Sequence, residues 1–302
     1  MSAAVDVLVP AYGDCPYLAE ALDSVLAQDP GPAKVIVVDD GSPTPLALEP
    51  HHAERCLLIR REANGGPAAS RATALKRGDA PLIALLDADD AWEPGRLAAG
   101  LAALERHPDA GLCFGAATVV DEHGDPTGER FAGVSPGPHP AEEIGRTLFR
   151  RNPIPTSSTL MRRHALASAG GFDHPETDDL GCWMRMAQAG HPFVFEPGAR
   201  IRYRRHPGGQ SYDLRTGARL ALAALDAHGH VLDESTRRGL RRDWLTLMAR
   251  GEFRARRYAH GRRALRAAAR EAPLAPRERA LSVVAAIPGA RSALGRRNPH
   301  RG

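Results

Sequence analysis

The sequence predicts an α/β protein, a mostly parallel sheet flanked by helices, with a basic helical extension behind it. Three observations predict it. Apolar runs of strand length recur through the first 200 or so residues with helical patterns between them, the βαβ arrangement that demands a parallel sheet. Several of these runs stop in polar clusters, and ligands of such sheets bind beyond the carboxyl ends of the strands. The charge balance also reverses late in the chain. Residues 1–216 carry 21 Lys/Arg against 29 Asp/Glu, and residues 217–302 carry 19 against 7. Two regions of opposite charge imply two jobs.

Residues 5–10 read as a buried strand stopped by Pro10. Ala11, Tyr12, Gly13 and Asp14 form a loop. Leu18, Leu22, Val25 and Leu26 then share one face of a helix over 18–28. Residues 34–38 are a second strand, ending in Asp39, Asp40, Gly41 and Ser42. A short third strand over 56–59 leads to a turn at Asn64, Gly65, Gly66 and Pro67. A helix over 68–77 follows, closed by Gly78. That turn is neither a dinucleotide fingerprint nor a P-loop. Residues 82–86 form an apolar strand that runs into Asp87, Asp89 and Asp90, and 96–106 is helical.

A strand over 111–120 precedes a Gly- and Pro-rich loop over 121–140 and a short helix over 142–150. Residues 152–158 are an irregular polar run. A turn at Gly170, Gly171, Phe172 and Asp173 leads to a helix over 180–188, packed by Trp183, Met184 and Met186. Residues 193–195 and 200–203 read as late strands. Ala- and Arg-rich helices run from Leu214 to about residue 270. The expected domains are 1–216, a basic helical extension over 217–287 and a disordered tail over 288–302.

Bulk properties narrow the class. The chain of 302 residues is 43% hydrophobic and 25% charged, ordinary for a globular protein. Cys15, Cys56, Cys113 and Cys182 include no Cys-x-x-Cys pair, which favours a reducing compartment and argues against a cysteine zinc cluster. A first strand at about Val5 leaves no room for a signal peptide. The longest apolar stretches fall far short of the roughly 20 residues that span a bilayer. The expectation is a cytoplasmic protein that touches the inner membrane face at most peripherally.

The chemistry gathers at the strand ends. Like charges as close as Asp87, Asp89 and Asp90 repel, so a cation belongs among them. A hard divalent ion with oxygen ligands is the natural one. The alternative is a strand-end turn before a helix start at Glu93 and Pro94. Asp39 and Asp40 read equally as an Asp-Gly turn. Arg71 reads as a rim cation or a solvated helix face, and Asp178 or Asp179 as a functional acid or a helix cap. Taken together, Pro10 to Tyr12, Asp39 with Asp40, and Asp87 to Asp89 converge on one rim.

At this point the residues resemble a family 2 glycosyltransferase of the GT-A type, over about residues 4–212. The resemblance rests on Val9-Pro10-Ala11-Tyr12, Val37-Val38-Asp39-Asp40-Gly41-Ser42, Asn64-Gly65-Gly66 with Arg71, and Leu86-Asp87-Ala88-Asp89-Asp90. Gly170-Gly171-Phe172-Asp173 and Asp178-Asp179 ahead of Trp183 and Arg185 complete it. It implies a Rossmann-like sheet and a hexosyl or related transfer from a nucleotide diphosphate sugar to an acceptor hydroxyl, with inversion. Pro10, Tyr12, Asp39, Asp40, Asn64, Gly66, Arg71 and Asp87 would then hold the donor nucleotide. Asp40 would accept the ring N–H of uracil or thymine, which makes the donor UDP- or dTDP-linked. Asp89, with Asp87 and His206, would bind Mn2+ or Mg2+, and Asp179 would be the general base. Two departures stand out. The family usually has Glu-Asp where this chain has Asp178-Asp179, and Leu180 and Gly181 replace the usual aromatic or acidic residues that follow.

Other readings compete. One is a nucleotide-sugar-binding or scaffolding protein without catalysis, and another is a sugar nucleotidyltransferase. The latter wants a basic Gly-rich loop directly after the first strand, which residues 11–15 do not offer. The acceptor is expected to meet the irregular segments around 121–158 and 173–178. In the basic end, Arg254, Arg256, Arg257, Arg262, Arg263, Arg266 and Arg270 suit phosphate or carboxylate partners. The helices there either complete the core of the first region or lie on anionic lipid near a lipid-linked acceptor. Nucleic acid fits less well, because the basic residues are not interleaved with aromatics.

Overall fold

The first strand, β1 (Val5–Ala11), sits inside the parallel half of a ten-stranded sheet, and its alternation of two buried faces follows from that position. The computed structural model describes residues 4–131, 133–172, 178–209 and 213–284. Beside β1 run β2 (Lys34–Asp39) and β4 (Leu82–Leu85), both parallel to it, and β3 (Cys56–Arg60) lies parallel outside β2. Val5, Val7, Val9, Val35 and Val37 face α1 (Leu18–Leu26), which returns Leu18, Ala21, Leu22 and Val25 to the same cluster. Leu8, Ile36, Ile83 and Leu85 fill the opposite face and are fully buried. Each such side chain contributes roughly 1.5–3 kcal/mol of burial. Asp6 is the buried exception in β1. It accepts hydrogen bonds from Arg163 at 2.7 Å and from the Ala80 N–H at 2.8 Å.

The rest of the sheet is mixed. The strand order is β3-β2-β1-β4-β9-β6-β10-β5, with β9 (Leu160–Arg162) antiparallel to both β4 and β6 (Leu112–Val120). The strand β10 (Phe193–Arg204) pairs parallel with β6 and antiparallel with the two-residue β5 (Ala91–Trp92). Helices α3 (Gly66–Leu75), α4 (Arg96–Arg106) and α5 (Ala141–Arg150) connect these strands, and α6 (Arg163–Ser168) and α7 (Asp178–Gln188) precede β10.

Sequence and structure differ at several places, for local reasons. The two late strands are one, β10, whose register shifts between Glu196 and Ile201, around Pro197 and Gly198. The segment read as a loop over 121–140 holds the edge strands β7 (Pro126–Arg130) and β8 (Gly137–His139). Helix α3 starts at Gly66, since Pro67 suits the first helical turn. The single turn α2 (Pro50–Ala53), β5 and α6 are too short for periodicity to reveal. The tail over 288–302 lies outside the described residues.

By contacts the chain divides into two compact units, Met1–His206 and Pro207–Gly302. The second is helical: α8 (Leu214–His228), α9 (Glu234–Arg254), α10 (Tyr258–Glu271) and α11 (Pro276–Val284). Asp213 caps α8 through the Arg215 N–H at 2.9 Å, and Asp233 caps α9 through the Thr236 N–H at 2.9 Å. Ala249, Phe253, Ala264 and Leu265 form a small core between α9 and α10. Gly261 permits the approach, because a Cβ there would stand 2.4 Å from the Phe253 ring. Among the described residues no helix is long and apolar enough to cross a membrane.

Candidate active site

The carboxyl ends of β1, β2 and β4 lie side by side. Ala11 stands opposite Asp39, the Asp40 N–H donates to the Ala11 carbonyl at 2.8 Å, and the Leu86 N–H donates to the Leu8 carbonyl at 3.1 Å. Asp39, Asp40 and Asp87 therefore leave the sheet on either side of β1. Asp39 is buried and holds its own turn. It accepts from the Ser42 N–H at 2.9 Å, the Leu46 N–H at 3.2 Å and Arg60 at 2.6 Å. Burial pushes its carboxyl up, and the bonds from Ser42, Leu46 and Arg60 outweigh burial, so it sits below its ordinary range. Gly41 has φ 71°, and a Cβ there would come within 2.8 Å of the Ala63 carbonyl carbon. That close approach lets Asp40 reach the start of α3, where it accepts from the Gly66 N–H at 2.7 Å and the Gly65 N–H at 3.1 Å. Arg61 closes the same carboxylate.

Arg71 is buried on α3 and donates to Asp87 at 2.6 Å. A buried guanidinium thus lies beside the first of these acids. Asp89 meets His206, with its carboxylate 3.1 Å from Nε2. Burial raises the Asp89 carboxyl above its ordinary range, and the charge of Asp87 raises it further. Asp90 is buried, and burial first, then Asp89 and Asp87, push it well above its usual value. It accepts from the Ser157 hydroxyl at 2.5 Å and from the Arg204 N–H at 2.9 Å.

Arg204 braces this corner. It donates to the Asp89 carbonyl at 3.0 Å and to Glu20 at 2.6 Å, and its guanidinium lies 4.3 Å from the Tyr17 ring centroid. Tyr17 in turn meets His206 edge-on, with centroids 5.3 Å apart.

A hydroxyl-rich turn ties the acids to α7. Ser157 accepts from the Asp87 N–H at 3.0 Å while it donates to Asp90. Its neighbour Thr156 donates to Asp179, near the start of α7. Ser158 accepts from the Gly115 N–H of β6 at 3.0 Å. The turn is locked from outside by Trp92 Nε1, which donates to the Ser157 carbonyl at 2.8 Å, and by Arg96, which donates to the Thr159 carbonyl at 2.6 Å.

The structure therefore joins Asp40 to Gly66, Arg71 to Asp87, Asp89 to His206, and Asp179 through Thr156 and Ser157 to Asp90. Pro10 is half-buried opposite Val38. Tyr12 is 52% exposed and Asn64 is exposed, so both are open to a ligand. The side chain of Asp178 and residues 173–177 lie outside the described residues. One expectation needs correction. Thr156, Ser157 and Ser158, assigned to the acceptor side, are buried and spend their hydroxyls on the protein's own acids and strands. The sequence reading also missed Arg61, Tyr17, Glu20 and Arg204. The prolines at 153 and 155 ahead of a run of hydroxyl residues were the one available sign of the turn. Nothing distinguished Arg204 from Arg202 or Arg205.

A family model described as glycosyl transferase family 2 matches residues 6–169. The succinoglycan biosynthesis protein ExoU of Rhizobium meliloti is 34% identical over 190 residues, 59% of this chain and 54% of that protein. The amylovoran biosynthesis glycosyltransferase AmsE of Erwinia amylovora is 24% identical over 192 residues, 62% of this chain and 70% of that protein. The chain thus spans about half the length of ExoU. Among solved structures, S. aureus TarS 1-349 superposes with a TM-score of 0.59 at 17% identity, over 97% of this chain and 88% of that one. The same TarS fragment has also been solved in complex with UDP-GlcNAc. At this identity the likeness speaks for a shared fold.

Proposed function

The chain belongs to glycosyl transferase family 2, and we propose that it is an inverting, metal-dependent enzyme moving a sugar from a UDP- or dTDP-linked donor to an acceptor hydroxyl. The observation that carries the reading is the continuous linkage from the acids after β4, through Ser157 and Thr156, to Asp179. A donor site and a base held in one rigid frame are what direct displacement requires. The TarS complex with UDP-GlcNAc supports a nucleotide sugar as the donor class.

In this reading Tyr12 stacks on the base beside Pro10, and Asp40, steadied by Arg61 and Gly66, accepts its ring N–H. Asp39 keeps the turn, Asn64 borders the ribose, and Arg71 with Asp87 faces the diphosphate. Asp89, Asp87 and His206 fit a divalent ion on chemical grounds. They offer oxygen and imidazole donors, and burial first, then the Asp87 charge, raises the Asp89 carboxyl. When bound, Mn2+ or Mg2+ supplies Lewis-acid stabilisation of the departing diphosphate. Asp179 takes the acceptor proton, with Thr156 fixing the carboxylate's orientation. Attack opposite the nucleotide then inverts the anomeric carbon without a covalent intermediate. The exposed arginines at 254, 256, 257, 263, 266 and 270 favour a peripheral seat on anionic lipid.

Titration with UDP and dTDP, with and without Mn2+, tests the donor side. Metal-enhanced nucleotide binding is expected, and its absence would sink the donor assignment. A screen of UDP- and dTDP-sugars for donor hydrolysis then identifies the sugar. Binding without turnover on any donor and acceptor pair would leave a nucleotide-sugar-binding protein instead.

A further inference from the structure

A second cluster of metal-ligating side chains lies between α1 and α2, in segments the site above does not use. Asp23 on α1 faces two consecutive histidines of α2. His52 is buried, and its Nε2 lies 2.8 Å from Asp23 Oδ1. His51 Nε2 lies 3.4 Å from the same oxygen, and the two imidazole centroids are 3.8 Å apart. One ligand atom from each of the three residues falls within 4.8 Å of the others. Ligand atoms around a tetrahedral zinc stand about 3.3 Å apart, so only small side-chain adjustments would centre an ion here.

We propose that Asp23, His51 and His52 form a zinc site that fastens the segment after β2 to α1. Two imidazoles and one carboxylate are a zinc donor set rather than a calcium or magnesium one. The surroundings supply the outer support such sites carry. Glu49 adds a second carboxylate 3.7 Å from His51 Nδ1, at the edge of the cluster. A cavity of about 500 Å3 runs between the start of α1 and residues 43–52, with His52 and Glu49 in its wall. The consequence for the fold is specific. The segment leaves the sheet at Asp39, which already binds the Ser42 and Leu46 N–H groups, and would be anchored at its far end by metal.

The test uses the full chain carrying Asp89→Asn, which weakens the separate rim site. The protein is stripped with chelator and dialysed against Zn2+, and its metal content is measured. One zinc per chain is expected. Adding His51→Ala, an exposed position whose truncation the fold tolerates, should weaken zinc binding about tenfold or more, with an unchanged circular dichroism spectrum. Zn2+ should also raise the Tm of the His51 parent and not of the His51→Ala variant. Co2+ in place of Zn2+ should give the intense visible bands of a tetrahedral centre. Failure to take up zinc, a zinc content indifferent to His51→Ala, or a pale six-coordinate cobalt spectrum would overturn the site. The cluster would then be a hydrogen-bonded Asp–His pair with a solvated neighbour.

Discussion

In the proposed reaction Asp179 and Asp89, one residue type, take two roles from their surroundings. Asp179 is half-buried and is oriented by the Thr156 hydroxyl. Its proposed work is to accept a proton, so Asp179→Asn should lower kcat by roughly 10²–10⁴-fold with donor affinity nearly unchanged. Equal turnover in variant and parent would remove Asp179 from that role. Asp89 sits among like charges, and burial with the Asp87 charge raises its carboxyl. The folded chain therefore holds this proton more tightly than the unfolded chain. The stability tied to the group is fullest in acid, below its ordinary value of 3.8, and is lost as pH rises through the raised folded value. Asp89→Asn should accordingly raise Tm by a few degrees at neutral pH, with the gain shrinking in acid. Mn2+ should raise the Tm of the parent and leave the variant unmoved. A variant less stable than the parent at neutral pH would show that the Asp89–His206 contact outweighs the repulsion.

Elements, rather than single residues, decide where the acids point. The turn after β2 depends on Gly41, whose positive φ and 2.8 Å approach to Ala63 exclude a side chain. Gly41→Ala should cost about 1–3 kcal/mol in denaturant titration and weaken donor binding with it. Retained stability with normal binding would mean that the turn adapts. The hydroxyl turn is the second such element. Ser157→Ala strips a partner from the buried Asp90 carboxylate and should cost roughly 1–3 kcal/mol, with a larger fall in kcat than Asp90 itself would explain if the turn positions Asp179. Unchanged kcat in a folded Ser157→Ala protein would uncouple the turn from catalysis. The sequence made β1, β2, β4, α1 and α4 legible, because two-sided apolar strands and amphipathic helices each leave a clear period. It singled out Asp40 and Asp89 through their place after β2 and β4, while the roles of Arg71 and His206 entered through the family resemblance. It did not reveal Ser157 or Arg204, since a buried hydroxyl and a bracing arginine acquire their hydrogen-bond partners only from residues 67 to 184 positions away. The strand β10 was split in reading because a bulge breaks its period while the chain continues in the same direction.

At the scale of the whole molecule, charge is the organising variable. The exposed arginines of α9 and α10 lie opposite the small residues that pack those helices together, as Gly261, Ala264 and Ala268 show. The full chain should cosediment with phosphatidylglycerol vesicles at low salt and be released at high salt. Arg263→Glu with Arg266→Glu and Arg270→Glu should weaken that binding without unfolding the helices. Equal affinity for neutral vesicles, or none for either, would remove lipid as the partner of this region.

The turn over 156–158 carries a different kind of consequence. Three successive residues there each serve a separate part of the molecule: one the helix bearing Asp179, one the acidic corner, one the middle of the sheet. Such spacing leaves no slack in chain length. Deleting or inserting a single amino acid between Pro155 and Thr159 would displace all three attachments together. Among related chains this stretch should therefore hold a constant number of residues, even where the peripheral β7–β8 segment grows or shrinks.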